Sequence, residues 1–207
     1  MRQILMFTIL GYLSGSVLYA RIWSRVFQKD DIIEKSEDKN PGVANAFKYG
    51  GFWCGCLTLV CDLLKGILPV HFYIEYASGV VQNGIGLAFV LAAPVVGHVF
   101  SVFHHFQGGK GITVTFGVLT GLYPFAVPFW IMVISFIFFS LIIRITPHYY
   151  RTIVAYVCAW AGIVLCCIQK MVPICIGFTI ISGAVLIRMH KSTEQVEKMK
   201  VGLLWKY

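Results

Sequence analysis

The stretch from Gly111 to Ile143, GITVTFGVLTGLYPFAVPFWIMVISFIFFSLII, runs 33 residues without a charged side chain. A helix needs about 20 apolar residues to cross a bilayer core, so this run is too long for one upright crossing. Gly121, Pro124 and Pro128 fall in its middle and offer a turn. The reading is two spans, 111–122 and 124–143, with the first short enough to be partly re-entrant. Working outward, five more apolar runs suit a membrane: 3–24, 52–76, 82–103, 152–169 and 171–188. The expected fold is all-α, a polytopic membrane helix bundle of seven spans, some short or broken, forming a single domain over 1–207.

Composition agrees. Hydrophobic residues make up 58% of the 207 and charged residues only 13%, where a soluble domain carries about 25% charged. The first run, Ile4–Ala20, has only Arg2 ahead of it, and Leu18-Tyr19-Ala20 is a weak cleavage signal, so it reads as a retained helix and not a signal peptide. No internal repeat or low-complexity stretch is visible.

The formal charge is +8, but its placement argues against nucleic acid. The basic residues fall between apolar runs: Arg21, Arg25, Lys29, Lys35, Lys39 and Lys48; then Lys110; then Arg144 and Arg151; then Arg188, Lys191, Lys198, Lys200 and Lys206. The alternate loops hold only Arg2 and Lys170. Seven spans put all four rich segments on one side, and the positive-inside rule makes that side cytoplasmic, with the N-terminus outside and the C-terminus cytoplasmic. Six spans would split the 144–151 loop from the tail. The tail Lys191–Tyr207 mixes charge with Val196, Met199, Leu203, Leu204 and Trp205, which suits either an amphipathic surface helix or a solvated end.

All seven cysteines lie in apolar segments, with no Cys-x-x-Cys and no histidine at metal-ligand spacing. They read as small hydrophobes, and neither a metal nor a cofactor is expected.

Four constellations carry chemistry. Phe106-Gln107-Gly108-Gly109-Lys110-Gly111 stands at the start of a span. Its glycines let backbone approach a bound group and aim N–H donors into one concavity, the helix behind it favours an anion, and Lys110 adds a compact positive charge. The Walker spacing is absent, and a plain tight turn remains the alternative. Asp62-Leu63-Leu64-Lys65-Gly66 puts two ionisable residues one helical turn apart inside a span, as a structural ion pair or as part of a polar site, with Gly66 and Pro69 able to break the helix nearby. Asn40-Pro41-Gly42-Val43-Ala44-Asn45 suits a turn, from which Asn45 can donate to a ligand oxygen. Gly97-His98 lies close in sequence to the glycine loop, and His98 suits a general base, a phosphate partner or a packed neutral ring. His104 and His105 read as interfacial.

In this order, Asn-x-Gly-x-x-Asn, Asp-x-x-Lys-Gly, Gly-His-x-Phe and Phe-x-Gly-Gly-Lys-Gly, the chain resembles the bacterial acyl-phosphate-dependent glycerol-3-phosphate acyltransferase family. Tyr12-Leu13-Ser14-Gly15-Ser16 resembles the family's opening span, and Val185-Leu186-Ile187-Arg188 with His190 its close. The resemblance implies seven spans in the plasma membrane, an N-terminus outside and motif loops facing the cytoplasm. It implies transfer of a fatty acyl group from acyl phosphate to the 1-hydroxyl of glycerol 3-phosphate. It places His98, Asp62 and Lys110 in the chemistry, and Asn40, Gly42, Asn45, Lys65, Gly66, Gly108, Gly109, Gly111 and His190 around substrate. The base is open between His98, Asp62 and a phosphate oxygen of the substrate. Where the family usually writes Gly-Ser-Gly-Asn, this chain has Glu37-Asp38-Lys39-Asn40, and an expected arginine falls near Glu34. The Ser-rich stretch after the fifth span reads Pro147-His148-Tyr149-Tyr150-Arg151-Thr152, and the closing asparagine is missing. These departures motivate two alternatives: another polyol-phosphate acceptor, or a non-catalytic membrane paralogue.

Overall fold

The computed structural model describes residues 1–28, 32–76, 84–169, 171–191 and 198–203. Lys29, Lys170, Val196, Leu204, Trp205 and Lys206, named above, lie outside them. The described chain is mostly helix: α1 (Arg2–Ser16), α2 (Tyr19–Val26), the short α3 (Ile32–Lys35), α4 (Val43–Gly50), α5 (Phe52–Tyr76), α6 (Gly86–Val99), α7 (Ile112–Thr120), α8 (Val127–Ile137), α9 (His148–Cys167) and α10 (Val172–His190). Four helices are long and apolar enough to cross a membrane, and five if the bent pair α1–α2 counts as one span. Apolar side chains also cover the outside, where a soluble protein would put polar ones. Val60, Leu64, Leu68 and Phe72 form an exposed stripe along α5, and Trp130, Ile134, Ile137 and Leu141 another along and just beyond α8. Such stripes suit lipid contact.

The 111–143 run divides as its glycine and prolines predict. α7 ends at Thr120, the chain turns through 121–126, and Pro128 sits in the first turn of α8, where a missing N–H costs nothing. With nine residues, α7 is about 14 Å long, half of a bilayer core. The expected first span, 3–24, is broken: α1 and α2 meet at a 42° bend across Val17 and Leu18.

The all-α expectation needs one correction. After α8 a π turn over Phe138–Ile142 leads into strand β1 (Ile143–Thr146), which pairs antiparallel with β2 (Lys200–Leu203) in the tail. The register sets Ile143 opposite Leu203 and Ile145 opposite Val201. Three of the four β1 residues are β-branched, which suits a ladder. The tail is therefore neither a surface helix nor free over 200–203.

Close backbone approach positions the central helices. A Cβ at Gly15 would strike the Pro94 carbonyl oxygen, and one at Gly97 the Tyr12 carbonyl oxygen, so α1 and α6 touch along glycines. Tyr12 Oη donates to the Phe100 carbonyl (2.8 Å), and Ser101 Oγ to the Ser16 carbonyl (2.6 Å), at the same end of the pair. Gly66 meets the backbone of α7 at Val114 and Val118, and Gly117 the backbone of α5 at Leu63. Gly97→Ala should therefore lower stability by about 1–3 kcal/mol through overpacking, read as thermal unfolding in detergent. Gly183→Ala, with open space at its Cβ position, should leave the transition unchanged or slightly raised; an equal loss in both variants would refute the contact.

Candidate functional site

Lys65 sits in α5 with its ammonium buried at the meeting of three helices. It donates to the Val17 carbonyl at 2.6 Å and to His98 Nδ1 at 2.8 Å, and it lies 2.8 Å from Asp62 Oδ1. The Asp62 contact is a buried ion pair. The Tyr19 ring centroid is 5.5 Å from the ammonium, a cation–π distance. The bend between α1 and α2 makes this possible, because a carbonyl at a helix end has no partner of its own. An ammonium has no lone pair, so His98 Nδ1 accepts and the neutral ring carries its proton on Nε2. That Nε2 points at Gly109, where a Cβ would collide with it.

The glycine loop packs differently from the open concavity expected of it. Gly108 N–H donates to the Val99 carbonyl and Gly109 N–H to the His98 carbonyl, both at 3.0 Å. Lys110 N–H donates to Asn40 Oδ1 at 3.0 Å. These three amides tie the loop to the end of α6 and to the 36–42 segment and are not open to an anion. Gly111 follows with φ +82°, a left-handed conformation that glycine adopts without strain, and caps α7. The Lys110 side chain makes an ion pair with Asp38, Nζ to Oδ2 at 2.9 Å. Asn45 Nδ2 donates to the other carboxylate oxygen and to the Asn40 carbonyl, both at 2.8 Å, and Asn40 N–H donates to Asp38 Oδ1 at 3.3 Å. Burial would raise the Asp38 carboxyl, but Lys110, Asn45 and Asn40 outweigh it and hold it below its ordinary value.

A cavity of about 330 Å³ opens between these two clusters. Asp38, Asn40, Gly42, Asn45, Asp62, His98, Lys110 and Gly111 line it, with Ile112 and Thr113 bringing the positive N-terminal end of α7. Asp62 and His98 are thus brought within one cavity of Lys110, as the motifs suggested. His148 lines it as well, at the start of α9, in the segment that departs from the family pattern. Two neighbouring cavities share the Asp38 wall. One holds Arg21, Lys39, Arg188 and Lys191; the other holds Lys48, His148 and Arg151.

Some expected site residues lie elsewhere. Gly66 packs against α7 and lines none of these cavities; its place is a helix contact. Lys65 lies behind the cavity wall, holding Asp62 and His98. His190 is exposed and lines none of the three. Two residues turn a helix by about 200°, so when Arg188 Nε reaches the Gly108 carbonyl at 3.0 Å, His190 points away. Gly108 and Gly109 act through close packing on His98. Among the described residues no group of three or more His, Cys, Asp or Glu side chains could hold a metal ion.

A family model described as glycerol-3-phosphate acyltransferase matches residues 5–198. The chain belongs to that family. A glycerol-3-phosphate acyltransferase of Legionella pneumophila (strain Philadelphia 1) is 42% identical over 111 residues, which are 54% of this chain and 38% of that protein. One of Pseudomonas aeruginosa (strain LESB58) is 40% identical over 119 residues, 58% of this chain and 60% of that one. The match thus spans less than two thirds of either relative. Crystal structures of PlsY (YgiH), an integral membrane glycerol 3-phosphate acyltransferase, share the fold. Its glycerol 3-phosphate form has a TM-score of 0.75 and its lysophosphatidic acid form 0.71; each is 23% identical and covers 91% of this chain and 88% of that one. With its apolar helices, this family member is a multi-pass membrane protein.

Removing one partner of a buried pair leaves an uncompensated charge. Asp62→Asn should therefore cost about 3–5 kcal/mol, read by denaturant unfolding in detergent. Asp62→Leu with Lys65→Met should recover much of that loss, and a double variant no better than the single would show that the ammonium is not what destabilises it.

Proposed function

We propose that this chain transfers a fatty acyl group from acyl phosphate to the 1-hydroxyl of glycerol 3-phosphate, giving 1-acylglycerol 3-phosphate for phospholipid synthesis. The observation that carries the reading is the single cavity in which Lys110 and the N-terminus of α7 meet Asp62 and His98. Family membership and the names of the relatives point the same way.

An acyl phosphate is already activated, so the carbonyl needs no covalent enzyme intermediate. The acceptor hydroxyl attacks it, the new ester C–O bond forms, and the bond to phosphate breaks. The hydroxyl proton leaves on the departing phosphate, which balances the step without a protein base. Lys110, the α7 N-terminus and the His98 Nε2–H are donors suited to the phosphate charge that develops. His98 is then an anion donor, because Lys65 engages its other nitrogen. Asp62 serves through Lys65, by fixing the ring that faces the glycine loop.

The chain crosses the plasma membrane seven times in this reading, with the N-terminus outside. The bent α1–α2 pair is the first crossing and α7 a short fourth. The convergence of Asp38, Lys110, His148 and Arg188 around adjoining cavities supports placing their segments on one face. Reporter fusions at the two termini should mark opposite faces, with the C-terminal one cytoplasmic; reporters on the same face would reject the seven-crossing arrangement.

Purified protein in lipid, given acyl phosphate and labelled glycerol 3-phosphate, should release phosphate and form the lysophospholipid. Lys110→Ala should lower kcat/KM by about 100-fold or more, as loss of a charge-stabilising donor does. Turnover no faster than that variant's would end the proposal. His148 and Arg151 beside Asp38 favour a second reading, another polyol phosphate as acceptor, and an acceptor screen in which glycerol 3-phosphate ranks first would reject it.

A further inference from the structure

Three donors converge on one carboxylate. Lys110 Nζ, Asn45 Nδ2 and Asn40 N–H together engage both oxygens of Asp38, at 2.9, 2.8 and 3.3 Å. An ammonium, an amide and a backbone N–H converging at these distances form the donor set of an oxyanion seat, and here an internal side chain fills it. The surroundings stay basic even with Glu37, which shares one cavity wall with Asp38 and pairs with Lys48. Arg21, Lys39, Arg188 and Lys191 lie in the cavity on one side of Asp38, and His148 and Arg151 on the other. The Nε atoms of Arg21 and Arg151 are buried without a hydrogen-bond partner, so these walls still hold donor capacity. Asp38 lines all three cavities and is flanked by Lys39, whose φ of +47° is left-handed. Swung away from Lys110, the carboxylate would still face the cations of the adjoining cavity.

We infer that Asp38 is an internal counter-anion in the phosphate seat at Lys110: substrate phosphate binds there by displacing it, and Asp38 thereby sets the affinity for phosphate-bearing substrate. This rests on the acyltransferase reading for the identity of the substrate but not for the competition itself. At rest Asp38 pairs with Lys110 and holds it in place before substrate arrives. A competitor already in the seat weakens apparent binding by the fraction of time the seat is filled.

The test uses the full chain in lipid nanodiscs, with inorganic phosphate and glycerol 3-phosphate as probes in calorimetric titrations. Asp38→Asn should tighten both by roughly tenfold, and Asp38→Ser, which restores the residue the family usually carries, should do the same. The gain should vanish in a Lys110→Ala background. In turnover the Asp38 variants should lower KM for glycerol 3-phosphate without a proportional rise in kcat. A folded Asp38 variant that binds phosphate no better than the parent would overturn the inference and leave Asp38 as a group that positions Lys110. The parent chain supplies a check independent of variant folding: the carbon-13 signal of the Asp38 carboxyl should move as phosphate saturates, and a fixed signal would overturn the inference equally. Tighter phosphate binding with no acyl transfer would uphold displacement and sink the acyltransferase reading, whereas normal transfer with no gain would do the reverse.

Discussion

The buried ammonium of Lys65 ties the centre of the molecule together. It reaches the carbonyl freed where the first helix bends, the carboxylate one turn away on its own helix, and the ring nitrogen of His98 on a third. A charge in an apolar bundle is costly unless it is paired, and here each contact also fixes something else. The bend between α1 and α2 gains a partner for its open carbonyl. The His98 ring gains one tautomer and one direction. The contacts of α1 with α6 and of α5 with α7 run along glycines, so backbones come close enough for one side chain to bridge them.

The glycine loop works on the same footing. Its amides are engaged by the end of α6 and by Asn40, so its glycines serve close packing on His98 and a left-handed cap. What remains to meet a ligand is side-chain charge from Lys110 and the open end of α7. The 36–42 segment closes over that charge with a carboxylate, and it adopts a left-handed turn at Lys39 where the family's usual pattern has glycine. A Cβ disfavours that conformation by roughly 1–2 kcal/mol, so the Asp38 and Asn40 contacts hold the segment against a local preference.

Much of this was legible in the sequence, for identifiable reasons. Apolar runs with a mid-run glycine and two prolines foretold α7, the turn and α8, because helix length and breakers are local properties. Asp62 and Lys65 share a face by spacing alone. The pairing of β1 with β2 was not legible: two four-residue strands 57 positions apart carry no period to read. Neither was the exchange of His190 for Arg188, since two neighbours on one helix look equivalent until it is known which side packs inward. Asp38 was visible only as a departure from a pattern. That it reaches Lys110 depends on how the 36–42 segment folds back, a tertiary fact. That His148 and Arg151 reach the cavities beside Asp38 is likewise a tertiary fact, which neither the positive charge of Arg151 nor the missing serines of their segment reveals.

The antiparallel ladder between Ile143–Thr146 and Lys200–Leu203 closes the last third of the chain into a ring of backbone. Helices α9 and α10 are strung on that ring, so neither can slide or tilt far without drawing the other along. His148 near one end and Arg188 near the other both face the cavities around Asp38. The clasp therefore bears on how far apart they stand across the mouth of the site.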